Sequence, residues 1–251
     1  MVTNAETLRQ LESLHVRAWP ASEIADLDGW LWRWSGGGSQ RANSVSTIGF
    51  TGADPAAALD RVEARYREKG ARARLHTFDL SQPAGLPELL RARGYATGET
   101  TVTMLACVEP MAPPPELEVS FDPTPEWLEV YLEAITLDRR AVNQQILRRV
   151  PAPRAFFAVR RMGRVVSTAL GVALGPFAVA ECVATRADAQ RTGGAGVAMR
   201  GLMAWAASFG AQSVGLQVVE GNAPARALYR RLGFAPVCVN KFWVNQFWVR
   251  S

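Results

Sequence analysis

Apolar positions recur along the chain with two periods, and each period predicts an element. Leu8, Leu11, Leu14 and His15 fall on one face at helical spacing, which predicts a helix over residues 5–18. Trp30-Leu31-Trp32-Arg33-Trp34 alternates with period two, a strand with the tryptophans on one face. After Gly36-Gly37-Gly38 a return strand is expected over 45–50, followed by a helix over 55–69 that ends in basic residues before Gly70. A strand over 75–80, a short helix over 86–93 and a β-branched strand over 100–108 complete the first part. The second part predicts a strand over 117–121, helices over 125–137 and 139–149, and a hairpin of 155–160 with 164–172 around Met162-Gly163. Then come a strand over 177–185, a helix over 194–209, a strand over 213–219, a helix over 223–232 and a last strand over 237–244. Strand and helix alternating in this way imply an α/β fold with a mixed, partly parallel sheet.

Pro113-Pro114-Pro115 interrupts both patterns, because three successive prolines fix φ and remove three backbone donors. The expected division is an N-terminal α/β lobe over 1–110, a proline-rich linker over 111–116 and a C-terminal domain over 117–251. The two parts rhyme. Leu89-Leu90-Arg91-Ala92-Arg93-Gly94-Tyr95 and Leu228-Tyr229-Arg230-Arg231-Leu232-Gly233-Phe234 each close a short helix with Gly-aromatic before a strand. An internal duplication explains this, and so does the common use of glycine as a helix stop.

Composition removes several function classes. The chain has 251 residues, 48% hydrophobic and 20% charged, an ordinary globular mix rather than a disordered or coiled-coil one. The net charge of +5 is carried almost wholly by arginine, without a block of like charges, so neither a nucleic-acid arm nor a polybasic membrane anchor is expected. The uncharged stretch over 165–180 is shorter than the roughly 20 residues of a membrane span. Met1-Val2-Thr3-Asn4-Ala5-Glu6 lacks the basic and apolar parts of an export signal. Cys107, Cys182 and Cys238 match no zinc spacing, and with that start they fit a reducing cytoplasm. His15 and His76 have no metal-ligand spacing and read as packing or surface residues, so no metal is expected.

The chemistry is concentrated in two segments. Gln190-Arg191-Thr192-Gly193-Gly194-Ala195-Gly196 lies between a strand and a helix, where small residues let backbone N–H groups and the helix N-terminus meet a phosphate. It is neither a Walker motif nor GxGxxG. Downstream, Asn222 is placed to cap a helix with Pro224 in its first turn, and Tyr229 follows on nearly the same face. Gln190-x-x-Gly193-x-Ala195 resembles the Q/R-x-x-G-x-G/A signature of the GCN5-related N-acetyltransferase (GNAT) superfamily. Asn222, Ala225, Leu228, Tyr229, Gly233 and Phe234 resemble that superfamily's N-x-x-A-x-x-L-Y-x-x-x-G-F segment. The likeness covers about residues 117–247 well and the N-terminal lobe faintly, as a degenerate copy that lacks the loop signature.

The resemblance implies a GNAT acyl-CoA N-acyltransferase fold in the C-terminal half and acetyl-CoA as cosubstrate. The amides of Arg191, Thr192, Gly193, Gly194, Ala195 and Gly196 would hold its pyrophosphate, with Gln190 at the signature's first position. The strand end Val183-Ala184-Thr185 would pair with the pantetheine arm, Asn222 would contact it, and Arg226 would reach a phosphate. Tyr229 would protonate the departing thiolate. Ala195 stands where glycine is commoner, a replacement the family tolerates.

Attack by a neutral amine also requires a base. Glu181 is the expected one, a carboxylate among apolar neighbours whose side chain alternation would place on the face of Val183 and Thr185. Glu220 is the second choice. The expected function is N-acetylation of a primary amine of a small molecule or peptide. A non-catalytic acyl-CoA-binding or partner-binding protein is the alternative, and a retained Tyr229 favours the enzyme. Arg139-Arg140 and Arg148-Arg149 belong either to a solvated helix face or to the border of the acceptor mouth. Phe242-Trp243 and Phe247-Trp248 could pair subunits of a homodimer or cap the sheet.

Overall fold

The computed structural model describes residues 4–247. Met1, Val2 and Thr3 of the expected leaderless start, and Trp248 of the aromatic tail, lie outside them. In chain order the elements are α1 (Ala5–Ala18), β1 (Glu23–Leu27), β2 (Trp30–Trp34), β3 (Val45–Ser46), α2 (Pro55–Glu68), β4 (Arg74–Phe78), α3 (Leu86–Ala92) and β5 (Tyr95–Cys107). After the prolines come β6 (Leu117–Ser120), α4 (Pro125–Glu133), α5 (Leu137–Arg149), β7 (Arg154–Arg161), β8 (Arg164–Leu174), β9 (Phe177–Thr185), α6 (Gly194–Ser208), β10 (Ser213–Val219), α7 (Ala223–Arg231) and β11 (Ala235–Asn245).

The helices start where side-chain caps satisfy their first amides. Asn4 caps α1, Asp54 caps α2, Thr124 caps α4 and Asn222 caps α7. β1 was not expected from sequence. It is a mostly exposed edge strand, with Ile24 turned to solvent, so it lacks the alternation that marks a buried strand. The return strand expected over 45–50 shortens to two residues.

All eleven strands form one sheet in the order β1-β2-β3-β4-β11-β5-β10-β9-β8-β7-β6. The break at the prolines is therefore a break in secondary structure but not in the sheet. β5 lies between β11 and β10, antiparallel to both, and β11 lies between β4 and β5. Each half thus lends its last strand to the other. The arrangement repeats about the β5–β11 seam, with β4·β11 on one side and β10·β5 on the other, as a duplicated unit that exchanged strands would give.

Helices cover both faces. α6 and α7 pack on one face of the C-terminal strands around Met104, Phe157, Leu202 and Leu216. α2 and α3 cover the N-terminal strands, burying Trp30 and Trp32 against Leu59 and Tyr66. On the opposite face α1 crosses the seam and joins α4 and α5 around Leu11, Trp127, Phe156 and Leu170. Phe242 and Trp243 are buried in the sheet, the first stacked on His76 at 4.5 Å and the second donating its indole N–H to Thr77.

Beneath α1 runs a row of buried polar groups. Glu12 accepts from the Thr103 hydroxyl (2.6 Å) and from Gln217 Nε2 (2.9 Å), and Asn240 Nδ2 donates to Thr103 Oγ1 (2.6 Å). These residues come from α1, β5, β10 and β11, so the network stitches both halves across the seam.

Interleaving predicts one cooperative transition. Trp30 and Trp32 report on the N-terminal half and Trp127 and Trp205 on the C-terminal half. Urea unfolding followed by tryptophan fluorescence and by far-ultraviolet circular dichroism should superimpose on a single curve. Two separated transitions would contradict the shared sheet. A chain ended at residue 110, whose β5 lacks both neighbours, should not fold.

Candidate active site

The site begins where two parallel strands part. β9 and β10 pair over four residues, from Ser213 opposite Phe177 to Leu216 opposite Ala180. Beyond that the ladder ends, so among the described residues the main chain of β9 from Glu181 to Thr185 has no strand partner on its β10 edge.

A bulge accompanies the parting. Leu170 of β8 stands opposite Glu181 and Thr168 opposite Ala184, which leaves Cys182 and Val183 to face Ala169 together. Cys182 takes a φ of 52°, uncommon for a residue with a Cβ. The extra residue shifts the alternation. Glu181 and Cys182 both turn toward α1 and α4, whereas Val183 packs toward α6. The expectation that Glu181 shares a face with Val183 and Thr185 is thereby corrected, because strict alternation does not survive a bulge.

Glu181, the expected base, is one half of a buried ion pair. Its carboxylate is 6% exposed and is gripped by Arg41, with Nη1 2.7 Å from Oε1 and Nη2 2.5 Å from Oε2. His15 Nδ1 lies 3.4 Å from Oε1. Burial pushes the carboxyl up, but the charge and hydrogen bonds of Arg41, with those of His15, outweigh it and hold the pKa at about 2. Glu181 thus anchors Arg41. His76 lies within the field of the same groups; burial first, then Arg33, Arg41 and His15, lower its pKa to about 3.

On the α6 side of the parting lies the glycine-rich loop. Arg191 has a φ of 63° and Gly193 a φ of 89°, and α6 starts at Gly194. Among the described residues the backbone N–H groups of Arg191 to Gly196 donate to no protein acceptor. A Cβ on Gly193 would meet nothing within 4 Å, so the space before these amides is open. The loop is pinned from behind: Arg161 Nη1 donates to the Thr192 carbonyl (2.7 Å) and the Thr192 hydroxyl to that of Ala189 (2.7 Å). Gln190 is exposed at the loop's entrance.

α7 closes the far side. The Asn222 side chain accepts from the Ala225 amide (3.2 Å), the expected cap. Arg226 turns back on the end of β10, its Nη1 donating to the Glu220 carbonyl (2.9 Å). Tyr229 is 7% exposed, and its hydroxyl has no partner among the described residues. Burial and then the nearby charge of Glu181 raise its pKa to about 12, so it remains a phenol at neutral pH.

Opposite the glycine loop, on the α1 side, is a polar cavity of about 200 Å³. Gln217 and Val219 of β10 form its floor, Arg41 and Trp19 one wall, and Tyr131 and Arg139 the other. Sequence reasoning did not find Arg41, Trp19 or Tyr131, and it left Arg139 open and took His15 as packing or surface. Arg41 and Glu181 lie 140 positions apart and share no motif.

The family profile described as "Probable histone acetyltransferase Rv0428c C-terminal" matches residues 5–241. The chain belongs to this acetyltransferase family. It is accordingly a GNAT N-acetyltransferase. The "Uncharacterized N-acetyltransferase YobR" of Bacillus subtilis (strain 168) is 28% identical over 255 residues, covering 96% of this chain and all of that one. Among solved structures, the GCN5-related N-acetyltransferase from Kribbella flavida superposes with a TM-score of 0.71 at 17% identity, over 95% of both chains. A tandem GNAT protein from the clavulanic acid biosynthesis pathway superposes with a TM-score of 0.54 at 14% identity, over 75% of this chain and 68% of its own. These coverages extend the shared fold over the N-terminal half, where the sequence likeness is faint.

Replacing Arg41 with glutamine should leave a buried carboxylate without its cation, at a cost of about 3–5 kcal/mol. Because the folded-state pKa of Glu181 is lowered, its contribution to stability is present above the ordinary value of 4.5 and is lost as pH falls toward about 2. Urea denaturation at stepped pH should therefore show a gap between the native protein and Arg41→Gln that is widest near neutrality and narrows in acid. A gap constant with pH would show that the pair carries no such linkage.

Proposed function

We propose that this acetyltransferase takes its acetyl group from acetyl-CoA and passes it to the primary amine of a small molecule or peptide by direct attack on the thioester. The open row of amides from Arg191 to Gly196, at the positive end of α6, is the observation that carries the cofactor reading. In this reading the row binds the pyrophosphate, with Gln190 at its entrance. The unpartnered main chain of Val183, Ala184 and Thr185 receives the pantetheine amides, and the Asn222 amide group contacts the same arm. Thr185 is itself held by a 2.9 Å hydrogen bond with Ser167.

The thioester then lies in the mouth between β9 and β10, with the amine arriving from the α1 side. Attack of the amine nitrogen forms the C–N bond and a tetrahedral oxyanion. Collapse breaks the C–S bond, and the thiolate takes the proton of the Tyr229 hydroxyl. A phenol held at a pKa of about 12 is fully protonated when that step needs it. The proton lost by the amine leaves through water at the open end of the cleft, where Glu99 and Glu220 are exposed. Glu181 acts through Arg41 rather than on the substrate.

The matched family's description names a probable histone acetyltransferase, whose acceptor would be one member of the amine class. No helix among the described residues is long and apolar enough to cross a membrane. Phe242 and Trp243 are consumed by the core, so a homodimer would have to use another surface.

Two variants test the assignment. Gly193→Glu places bulk and negative charge before the amides, and should abolish acetyl-CoA binding in calorimetry while the circular dichroism stays native. Unchanged affinity would place the cofactor elsewhere. Tyr229→Phe should lower kcat by roughly 10²-fold with nearly unchanged acetyl-CoA affinity, the range for loss of a general acid. An undiminished kcat would remove Tyr229 from the chemistry.

A further inference from the structure

The polar cavity on the α1 side has features that the transferase reading does not use, and they specify a ligand. It borders the strand mouth, since Gln217 and Val219 continue β10 just past Leu216, the last residue paired with β9. Both halves of the chain build it. The loop after β2 supplies Ser39, Gln40 and Arg41, and α5 supplies Arg139 and Asn143. The two walls are tied together at one carbonyl: Gly38 accepts from Arg139 Nε (3.1 Å) and Asn143 Nδ2 (3.0 Å). Gly38 has a φ of 66°, and a Cβ there would lie 2.9 Å from that of Val142, so only glycine brings the loop this close to α5.

The charges are unequally matched. Arg41 is neutralised in a bidentate pair with Glu181. Arg139 spends only Nε on Gly38, and its terminal nitrogens meet no acceptor among the described residues. On the floor, the Thr101 hydroxyl is buried without a hydrogen-bond partner. Glu99, two residues earlier on β5, is exposed at the rim and has no cationic partner among the described residues. Thr101 stands opposite Val219, so these groups flank the end of β10 where the strands part. One unpaired guanidinium therefore faces the cavity from α5, and one unpaired carboxylate and one unpartnered hydroxyl from β5.

We propose that this cavity is the acceptor site and that the acceptor is a small zwitterionic amine of the α-amino-acid class. Its carboxylate lies on the terminal nitrogens of Arg139, and its amine at the Glu99 and Thr101 side beside the strand mouth. A forked guanidinium is the group that matches a carboxylate in two hydrogen bonds. The volume agrees: about 200 Å³ is below the roughly 300–1,000 Å³ of clefts that hold larger ligands. A lysine-rich peptide would instead bring more positive charge to a wall that already carries a free arginine. The N-terminal half is then part of the acceptor site, through the loop that carries Arg41.

The inference rests on the transferase reading for the fate of the amine, but binding can be tested without it. Thermal-shift and saturation-transfer measurements on the full chain, with no acetyl-CoA present, would screen the twenty standard amino acids, each beside its carboxamide and its decarboxylated amine. At least one amino acid should bind, with roughly tenfold preference over its carboxamide. Arg139→Gln should abolish that preference, and Arg139→Lys should restore part of it. Arg139 is exposed, so its replacement leaves the core intact, and the lysine variant controls for the lost bond to Gly38. In turnover assays with acetyl-CoA, Arg139→Gln should raise KM for the amino acid about tenfold while leaving the carboxamide unaffected. No amino acid bound, equal binding of acid and carboxamide, or an unchanged preference in Arg139→Gln would overturn the proposal. So would faster turnover of a lysine-rich peptide than of every amino acid. Amino-acid binding without turnover, combined with no acetyl-CoA binding, would instead sink the cosubstrate reading and leave the anion-reading cavity standing.

Discussion

A strand has two edges, and β5 gives both of its edges to strands of the C-terminal half. β11 does the reverse, pairing with β4 and β5 of the N-terminal half. The rest of the cleft depends on this exchange. It fixes β10 beside β5, and so positions the end of β10 where β9 departs from it. It also brings the loop after β2 and helix α1 over the C-terminal strands, where Arg41 and His15 reach Glu181. The family signature lies wholly in the second half, yet the face opposite the glycine loop is finished by the first. The first half carries no loop signature of its own and supplies strands, a helix and charge to the second.

The mouth itself combines two local departures from regularity. The parallel ladder stops after Leu216, and the bulge at Cys182 rotates the side chains beyond it. Glu181 keeps step with Val179 and faces α1, where it meets a cation. Without the bulge, Val183 would share that face; with it, Val183 turns to α6. In the proposed reaction the proton traffic falls to the carboxylates exposed to water, and the leaving thiolate to the buried phenol of Tyr229.

Much of this was legible in the sequence, and what was not has a common cause. Periodic apolar positions located α1, α6, β9 and β10 closely, because each buries one face against a single layer. Gln190 to Gly196 and Asn222 to Phe234 were legible because a glycine-rich turn and a capped helix are each written in consecutive residues. β1 was missed because an exposed edge strand needs no alternation. The bulge was missed because it is defined by the register against β8, which no local pattern carries. The exchange of β5 and β11 is invisible for the same reason: a strand's own residues report its burial but not its neighbours. Arg41 and Glu181 are joined only by the fold. Arg139 was noticed as one of a pair of arginines, and only the geometry separates it from its neighbour.

The central place of β11 also bears on how the chain is made. Synthesis runs from the N-terminus, so β4 and β5 emerge well before the strand that must lie between them. During that interval β5 has two open edges, and β4 is the partner within reach. Closing that pair early would seal the slot that β11 needs. The native order therefore requires the slot to stay open, or to reopen, until the last strand is released. Unpaired edges held open that long are the kind that invite pairing with other chains. Yield in a host should thus respond to the pace of translation and to chaperone supply more than the size of the finished core suggests.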